Sequence, residues 1–190
     1  MRTFVAIELP KEIKAEVSKL QDQLKKSGAD VKWVTPENIH LTLKFLGDRD
    51  EKKVEQIKQI LQEVAKENPA FEVSLDSLGT FPNANYPRVV WTGIAQGDTE
   101  TKKIAQELEE KIAKIGIPKE DREFSSHITI GRVKSNLNRE KLIQELSNAE
   151  NYLAGKKLKF SVDAITLFKS TLTPQGPLYE ILKTENLITI

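Results

Sequence analysis

The sequence predicts an α+β chain built as two similar lobes, on three observations. Short β runs alternate with amphipathic helices from one end to the other. The chain's two histidines open the same four-residue phrase, His40-Leu41-Thr42-Leu43 and His127-Ile128-Thr129-Ile130. Each phrase sits in a strand followed by a helix, which suggests lobes related by pseudo-symmetry.

The elements follow in order. Arg2 to Leu9 reads as a strand, and Pro10 suits the first turn of a helix with Ile13, Val17, Leu20 and Leu24 on one stripe. After Ser27-Gly28 come an extended run from Val31 to Thr35, then Pro36, then the first His strand from His40 to Leu46. Asp48 with Glu51 forms an acidic capping box for a helix whose stripe is Val54, Ile57, Leu61 and Val64. Phe71 to Leu78 and Arg88 to Ile94 read as paired strands around the Pro- and Asn-rich stretch Phe81 to Pro87. Asp98 caps a helix bearing Ile104, Leu108, Ile112 and Ile115, which ends near Gly116. The second His strand spans Ser126 to Val133, and Asn138 caps a short helix with Leu142, Ile143 and Leu146. Two late strands, Lys157 to Lys169 and Leu178 to Thr184, finish the chain.

Composition bounds the function. A length of 190 residues favours one domain, or two intimately joined lobes. A net charge of +1 supplies no global field for long nucleic acid, so any polyanion contact is local. With no cysteine there is no disulfide, thiolate nucleophile or sulfur-ligated metal. Glu8 and Pro10 interrupt the first apolar run, and no stretch has membrane length, so a cytoplasmic protein is expected, and a monomer. The 30% charged content, with lysine far outnumbering arginine, leans toward a thermophile.

The repeated phrase carries the chemistry. With 13 threonines in the chain, a Thr two residues after a His is about a 7% event, and two such events come to about 0.5% by chance. In a strand, residues two apart share a face about 7 Å apart. Each phrase therefore sets an imidazole and a hydroxyl on one face and two aliphatic anchors on the other. Phosphoryl chemistry without a metal needs one proton taken from the attacking group and one delivered to the leaving oxygen. Two imidazoles can divide that work, while Thr42 and Thr129 hydroxyls and a nearby cation meet the charge on the phosphoryl oxygens. A metallohydrolase fits poorly, since two histidines 87 residues apart show no ligand spacing.

Further residues carry competing readings. Strand parity puts Lys44 on the His40 face, where it can meet phosphate, and Phe45 on the core face. Parity sends Arg132 away from His127 unless a bulge at Gly131 turns it back. Phe45, Phe124, Trp33 and Tyr86 are candidate stacking platforms, with core packing the alternative. The Lys25-Lys26 and Lys156-Lys157 pairs read as solvated faces that at a cleft edge would bind a flanking polyanion.

Phe4-Val5-Ala6-Ile7, Trp33-Val34, the run from Pro36 through His40-Leu41-Thr42-Leu43-Lys44-Phe45-Leu46 to Gly47, Pro87-Arg88-Val89-Val90-Trp91 and His127 through Arg132 resemble the two-histidine phosphoesterase superfamily. Within it they are most similar to the LigT-like RNA 2′,3′-cyclic phosphodiesterases, also called 2′-5′ RNA ligases. The resemblance implies a bilobal LigT-like fold, each lobe an antiparallel sheet flanked by helices, with the active-site cleft between them. It implies metal-free, cofactor-free hydrolysis of an RNA 2′,3′-cyclic phosphate to a 2′-phosphomonoester, with some members joining or cleaving 2′-5′ linkages. The partner is then an RNA 3′ end or a nucleotide bearing that group. Carried over residue by residue, His40 is the proton donor, His127 the acceptor and Arg132 a phosphate clamp. The alternatives are a two-histidine activity on small nucleotides or 2′-5′ oligonucleotides, and a non-catalytic nucleotide- or RNA-binding module.

Overall fold

In the computed structural model, which describes residues 1–190, nine strands and four helices follow one another. They are β1 (Arg2–Glu8), α1 (Lys11–Lys25), β2 (Val31–Trp33), a 3-10 turn (Pro36–Asn38), β3 (His40–Asp48), α2 (Glu51–Glu67) and β4 (Phe71–Phe81). Then come β5 (Val89–Ile94), α3 (Asp98–Ala113), β6 (His127–Val133), α4 (Arg139–Lys156), β7 (Lys159–Val162), β8 (Ala164–Thr173) and β9 (Gly176–Asn186).

Local chemistry sets the helix ends. The α1 stripe of Ile13, Val17, Leu20 and Leu24 is buried as its spacing requires. The α2 cap is Asp50, whose side chain accepts from the Lys53 backbone N–H at 2.8 Å. Asp48, the expected cap, is instead the last residue of β3, in register with Arg2, because strand pairing holds it. Asp98 is the first residue of α3, not its cap; Gly97 precedes it at φ 85°, where a Cβ would lie 2.5 Å from the Glu72 carbonyl oxygen. The expected short helix after Asn138 runs 18 residues, because Ala149 and Leu153 extend its buried stripe. Asn138 sits in left-handed backbone, and its amide donates to the Gly28 carbonyl rather than capping α4.

The strands form two antiparallel sheets, in the orders β3-β1-β8-β9 and β2-β6-β5-β4-β7. Apart from β2, the orders correspond strand for strand, with each His strand beside β1 or β5. The halves of the sequence are exchanged, since β4 follows α2 yet pairs with β5, and β8 follows α4 yet pairs with β1. The single late strand expected from Lys157 to Lys169 is thus two. It breaks at Asp163, where the chain leaves one sheet for the other.

Helices cross over as well. α2 and α3 pack on the first sheet and α4 on the second. Gln21 of α1 is buried against the second sheet, its amide donating to the Val34 and Ile130 carbonyls at 2.8 Å each. One cluster of 37 buried hydrophobic residues draws on all four helices and both sheets, so neither lobe has a private core. No helix is long and apolar enough to cross a membrane.

Replacing Gln21 by Leu should remove two hydrogen bonds, leaving the Ile130 carbonyl with only the Val34 N–H, and cost about 1 to 2 kcal/mol in urea unfolding. A loss below about 0.5 kcal/mol would show that the amide is not bracing β6.

Candidate active site

Just beyond its threonine each His strand carries a residue with no partner, and β3 has a second one further on, at Leu46. Ala6 faces Thr42 and Val5 faces Lys44, so Leu43 is unpaired; Trp91 faces Thr129 and Val90 faces Gly131, so Ile130 is unpaired. A bulge of this kind inverts the alternation beyond it. His40, Thr42 and Phe45 therefore share one face, and His127, Thr129 and Arg132 share its counterpart in the other lobe. The burial patterns agree, with Phe45 57% exposed.

The bulge corrects the expectation for Lys44. Its side chain is buried on the opposite side of the strand from His40, 1% exposed, with its ammonium 2.5 Å from a Glu109 oxygen on α3. The other Glu109 oxygen accepts from the Glu120 backbone N–H, and the Glu120 carboxylate accepts from the Phe45 N–H at 3.3 Å. Lys44 is thus an anchor of the bulge, not a phosphate contact. In β6 the equivalent position is Gly131, where a Cβ would lie 2.7 Å from Val31 and 2.9 Å from Trp33. Glycine lets β2 close against the bulge, and the turn brings Arg132 onto the His127 face.

Both imidazoles are oriented by backbone. His40 Nδ1 lies 2.6 Å from the Asn38 carbonyl, presented by the 3-10 turn, and His127 Nδ1 lies 2.7 Å from the Ser125 carbonyl. A carbonyl only accepts, so each Nδ1 carries its proton and each neutral ring leaves Nε2 free to accept. His40 Nε2 is 2.8 Å from the Thr42 hydroxyl, which then donates. Burial pushes the His40 pKa down to about 4; the Asn38 bond opposes this and the Lys14 charge adds to it. Burial also lowers His127, with the Ser125 bond opposing and the Arg132 charge adding.

Aromatic rings shape the cleft. The His40 ring packs on Phe4 with centroids 5.0 Å apart and edge-on to Tyr179 at 5.4 Å; the small Ala6 leaves room beneath. The His127 ring meets Phe81 at 5.0 Å, and Phe81 meets Trp91 at 5.1 Å. Trp91 lies over Gly79, where a Cβ would come within 2.3 Å of the indole. The Arg132 field reaches both His127 and Tyr179, which belong to different lobes. The structure thus joins His40 to Thr42 directly, sets Thr129 and Arg132 on the His127 face, and leaves Lys44 out.

Phe4, Phe81 and Tyr179 escaped the sequence reading because nothing local marks them; they reach the histidines through strand pairing. Their one sequence signal is aromatic residues in strands, which core packing also explains. Of the other candidates, Trp33 and Phe124 pack against the main core, and Tyr86 is 67% exposed in the loop before β5. Lys25 pairs with Asp22, and Lys156 lies over the Tyr152 ring, both as solvated surface contacts. No three His, Asp or Glu side chains converge as metal ligands.

Paired histidine strands, each bulged after its threonine and related by an exchange of halves, define a two-histidine phosphoesterase. Residues 7–91 match the family described as LigT like Phosphoesterase, and residues 95–179 match it again, so the chain belongs to that family and each half carries one copy of its motif. It is 42% identical to the RNA 2′,3′-cyclic phosphodiesterase of Methanocaldococcus jannaschii over 96% of this chain and 99% of that one. The corresponding Thermotoga maritima protein is 37% identical over 96% and 93%. Among solved structures, a Thermus thermophilus protein superposes with a TM-score of 0.82 at 27% identity, covering 98% of both chains. E. coli LigT in complex with 3′-AMP does so at 0.77 and 26%, covering 98% of this chain and 97% of that one.

Nitrogen-detected NMR should find both free rings neutral at pH 7 in the Nδ1–H form, with His40 titrating near 4, below the ordinary 6.5. Because its folded pKa is lowered, the linked stability is complete above 6.5 and is lost as pH falls through 4. A His40 midpoint at or above 6.5 would contradict the burial seen here.

Proposed function

We propose that this chain is an RNA 2′,3′-cyclic phosphodiesterase that opens a terminal cyclic phosphate to a 2′-phosphomonoester. The observation that carries this reading is the matched pair of Nδ1-to-carbonyl bonds, which leaves two Nε2 atoms available for proton transfer. Relatives named for this activity, aligned over nearly the whole chain, support it.

In the proposed reaction His127 Nε2 takes a proton from water as the water oxygen bonds to phosphorus. The bond from phosphorus to the 3′ oxygen breaks, and protonated His40 gives that oxygen its proton. An imidazolium in a site that holds its pKa near 4 is a strong acid, and the substrate's negative charge helps load it. Thr42, Thr129 and Arg132 meet the charge on the non-bridging oxygens. Phe45, exposed on the same face as Thr42, offers its ring to the terminal base, where stacking contributes about 1 to 3 kcal/mol.

Each His→Ala change should lower kcat/KM by roughly 10²- to 10⁴-fold. The double mutant should lose far less than the product, since acid and base act in one transition state. Both limbs of the kcat/KM bell should fall below 6.5, with the kcat bell moved to higher pH by the bound anion. Two single mutants that keep full rate would leave the cleft as a binding site only. A chelator should leave the rate intact and chromatography should find the 2′-phosphate; rescue by an added divalent ion, or mainly 3′-phosphate, would defeat the scheme.

A further inference from the structure

One row of side chains on the cleft face of the first sheet has no part in the proposed chemistry. Thr42 stands opposite Ala6; the next row on that face is Phe45, Phe4, Phe168 and Ile181; beyond it lie Arg2, Ser170 and Tyr179. The aromatic row therefore separates the Thr42 row from the Arg2 row. Along β1, Ala6 and Arg2 stand about 13 Å apart at a strand's rise per residue, and the arginine side chain is long enough to reach back over part of that span. Arg2 is exposed.

Tyr179 links this row to the catalytic one. Its register partner Ser170 is small, and its ring leans to 4.9 Å from Phe4 and 5.4 Å from His40. The charges of Arg132 and Arg2 both pull its phenol pKa down against the burial that raises it. Two cations on different lobes thus act on one hydroxyl at the edge of the cleft. Asp48 is the register partner of Arg2 on β3 and is the charged neighbour that opposes anion binding there.

A 2′,3′-cyclic phosphate closes on the terminal ribose, and in an RNA the 5′ oxygen of that ribose bears a phosphodiester. A nucleoside 2′,3′-cyclic phosphate has only a hydroxyl there. With the reacting phosphate at Thr42 and the terminal nucleoside over Phe45, the exposed ring of the next row, the 5′ substituent falls toward the Arg2 row. We propose that Arg2, assisted by the Tyr179 hydroxyl, binds the phosphodiester on the 5′ side of the terminal nucleotide and so selects an RNA 3′ end over a mononucleotide. This rests on the cyclic phosphodiesterase activity proposed above.

Three substrates test it: a dinucleotide ending in a 2′,3′-cyclic phosphate, the matching nucleoside 2′,3′-cyclic phosphate, and that mononucleotide carrying a 5′-phosphate. The wild type should favour the first and third over the second by about 10- to 100-fold in kcat/KM, mostly through KM, as a charged hydrogen bond provides. The preference should shrink with added salt. In Arg2→Gln the ratio should fall to about one; Tyr179→Phe, which keeps the ring on His40 and Phe4, should reduce it less. A wild-type ratio near one overturns the proposal whatever the variants do. So does an Arg2→Gln protein that slows on all three alike and keeps the ratio. Turnover of the plain mononucleotide separates this failure from failure of the activity itself, which would leave all three uncleaved.

Discussion

The site depends on the unpaired residue that follows the threonine in each His strand, Leu43 in β3 and Ile130 in β6. A strand that keeps strict alternation shows one face every second residue, so a catalytic strand of this length would aim His, Thr and the fourth residue after the His at the cleft. The bulges at Leu43 and Ile130 shift that third position by one, replacing Lys44 and Gly131 by Phe45 and Arg132. The same distortion therefore presents an aromatic ring from one lobe and a guanidinium from the other. Pseudo-symmetry supplies two matched imidazoles, and the residue after each bulge makes their surroundings unequal.

Each bulge is held from the side facing the core, by different means. In β3 the buried Lys44 ammonium meets Glu109, whose carboxylate also binds the loop that carries Glu120, and Glu120 accepts the Phe45 N–H. A buried ammonium without a partner would cost several kcal/mol, so Lys44 and Glu109 fix the backbone by making any other arrangement expensive. In β6 the device is absence of a side chain at Gly131, which allows β2 to close, and a Gln21 amide that grips the Ile130 carbonyl from below. Gln21 sits on a helix that follows β1, so one half of the sequence braces the His strand of the other.

The exchange of halves also ties the two walls of the cleft together. Because β4 and β8 each cross to the other half's sheet and one buried cluster spans both, the walls of the cleft share a core. Each histidine has a carbonyl at Nδ1 and an aromatic ring beside it. Depressing the His40 pKa to about 4 represents about 3 kcal/mol of selectivity for the neutral ring. The penalty falls on the charged ring alone, so the neutral form is favoured in the free protein and an anion entering beside the ring would offset part of it.

The sequence by itself named the candidate chemical groups. The repeated His-x-Thr phrase, its strand setting and the absence of cysteine and metal-ligand spacing were legible because a phrase of local period two needs no tertiary information. The buried stripes of α1 and α2 were legible for the same reason. Arg132 was legible only as a choice, since Gly131 allows a bulge without requiring one. What the tertiary structure decided was whichever residue depends on a register set elsewhere. Parity misplaced Lys44 and Phe45 because the bulge exists only against β1, and Phe4, Phe81 and Tyr179 reach the imidazoles only through pairings between distant strands. The late strand divided at Asp163 because its two parts satisfy their hydrogen bonds in different sheets. Local periodicity names the face of a strand, but only the neighbouring strand says where that face turns over.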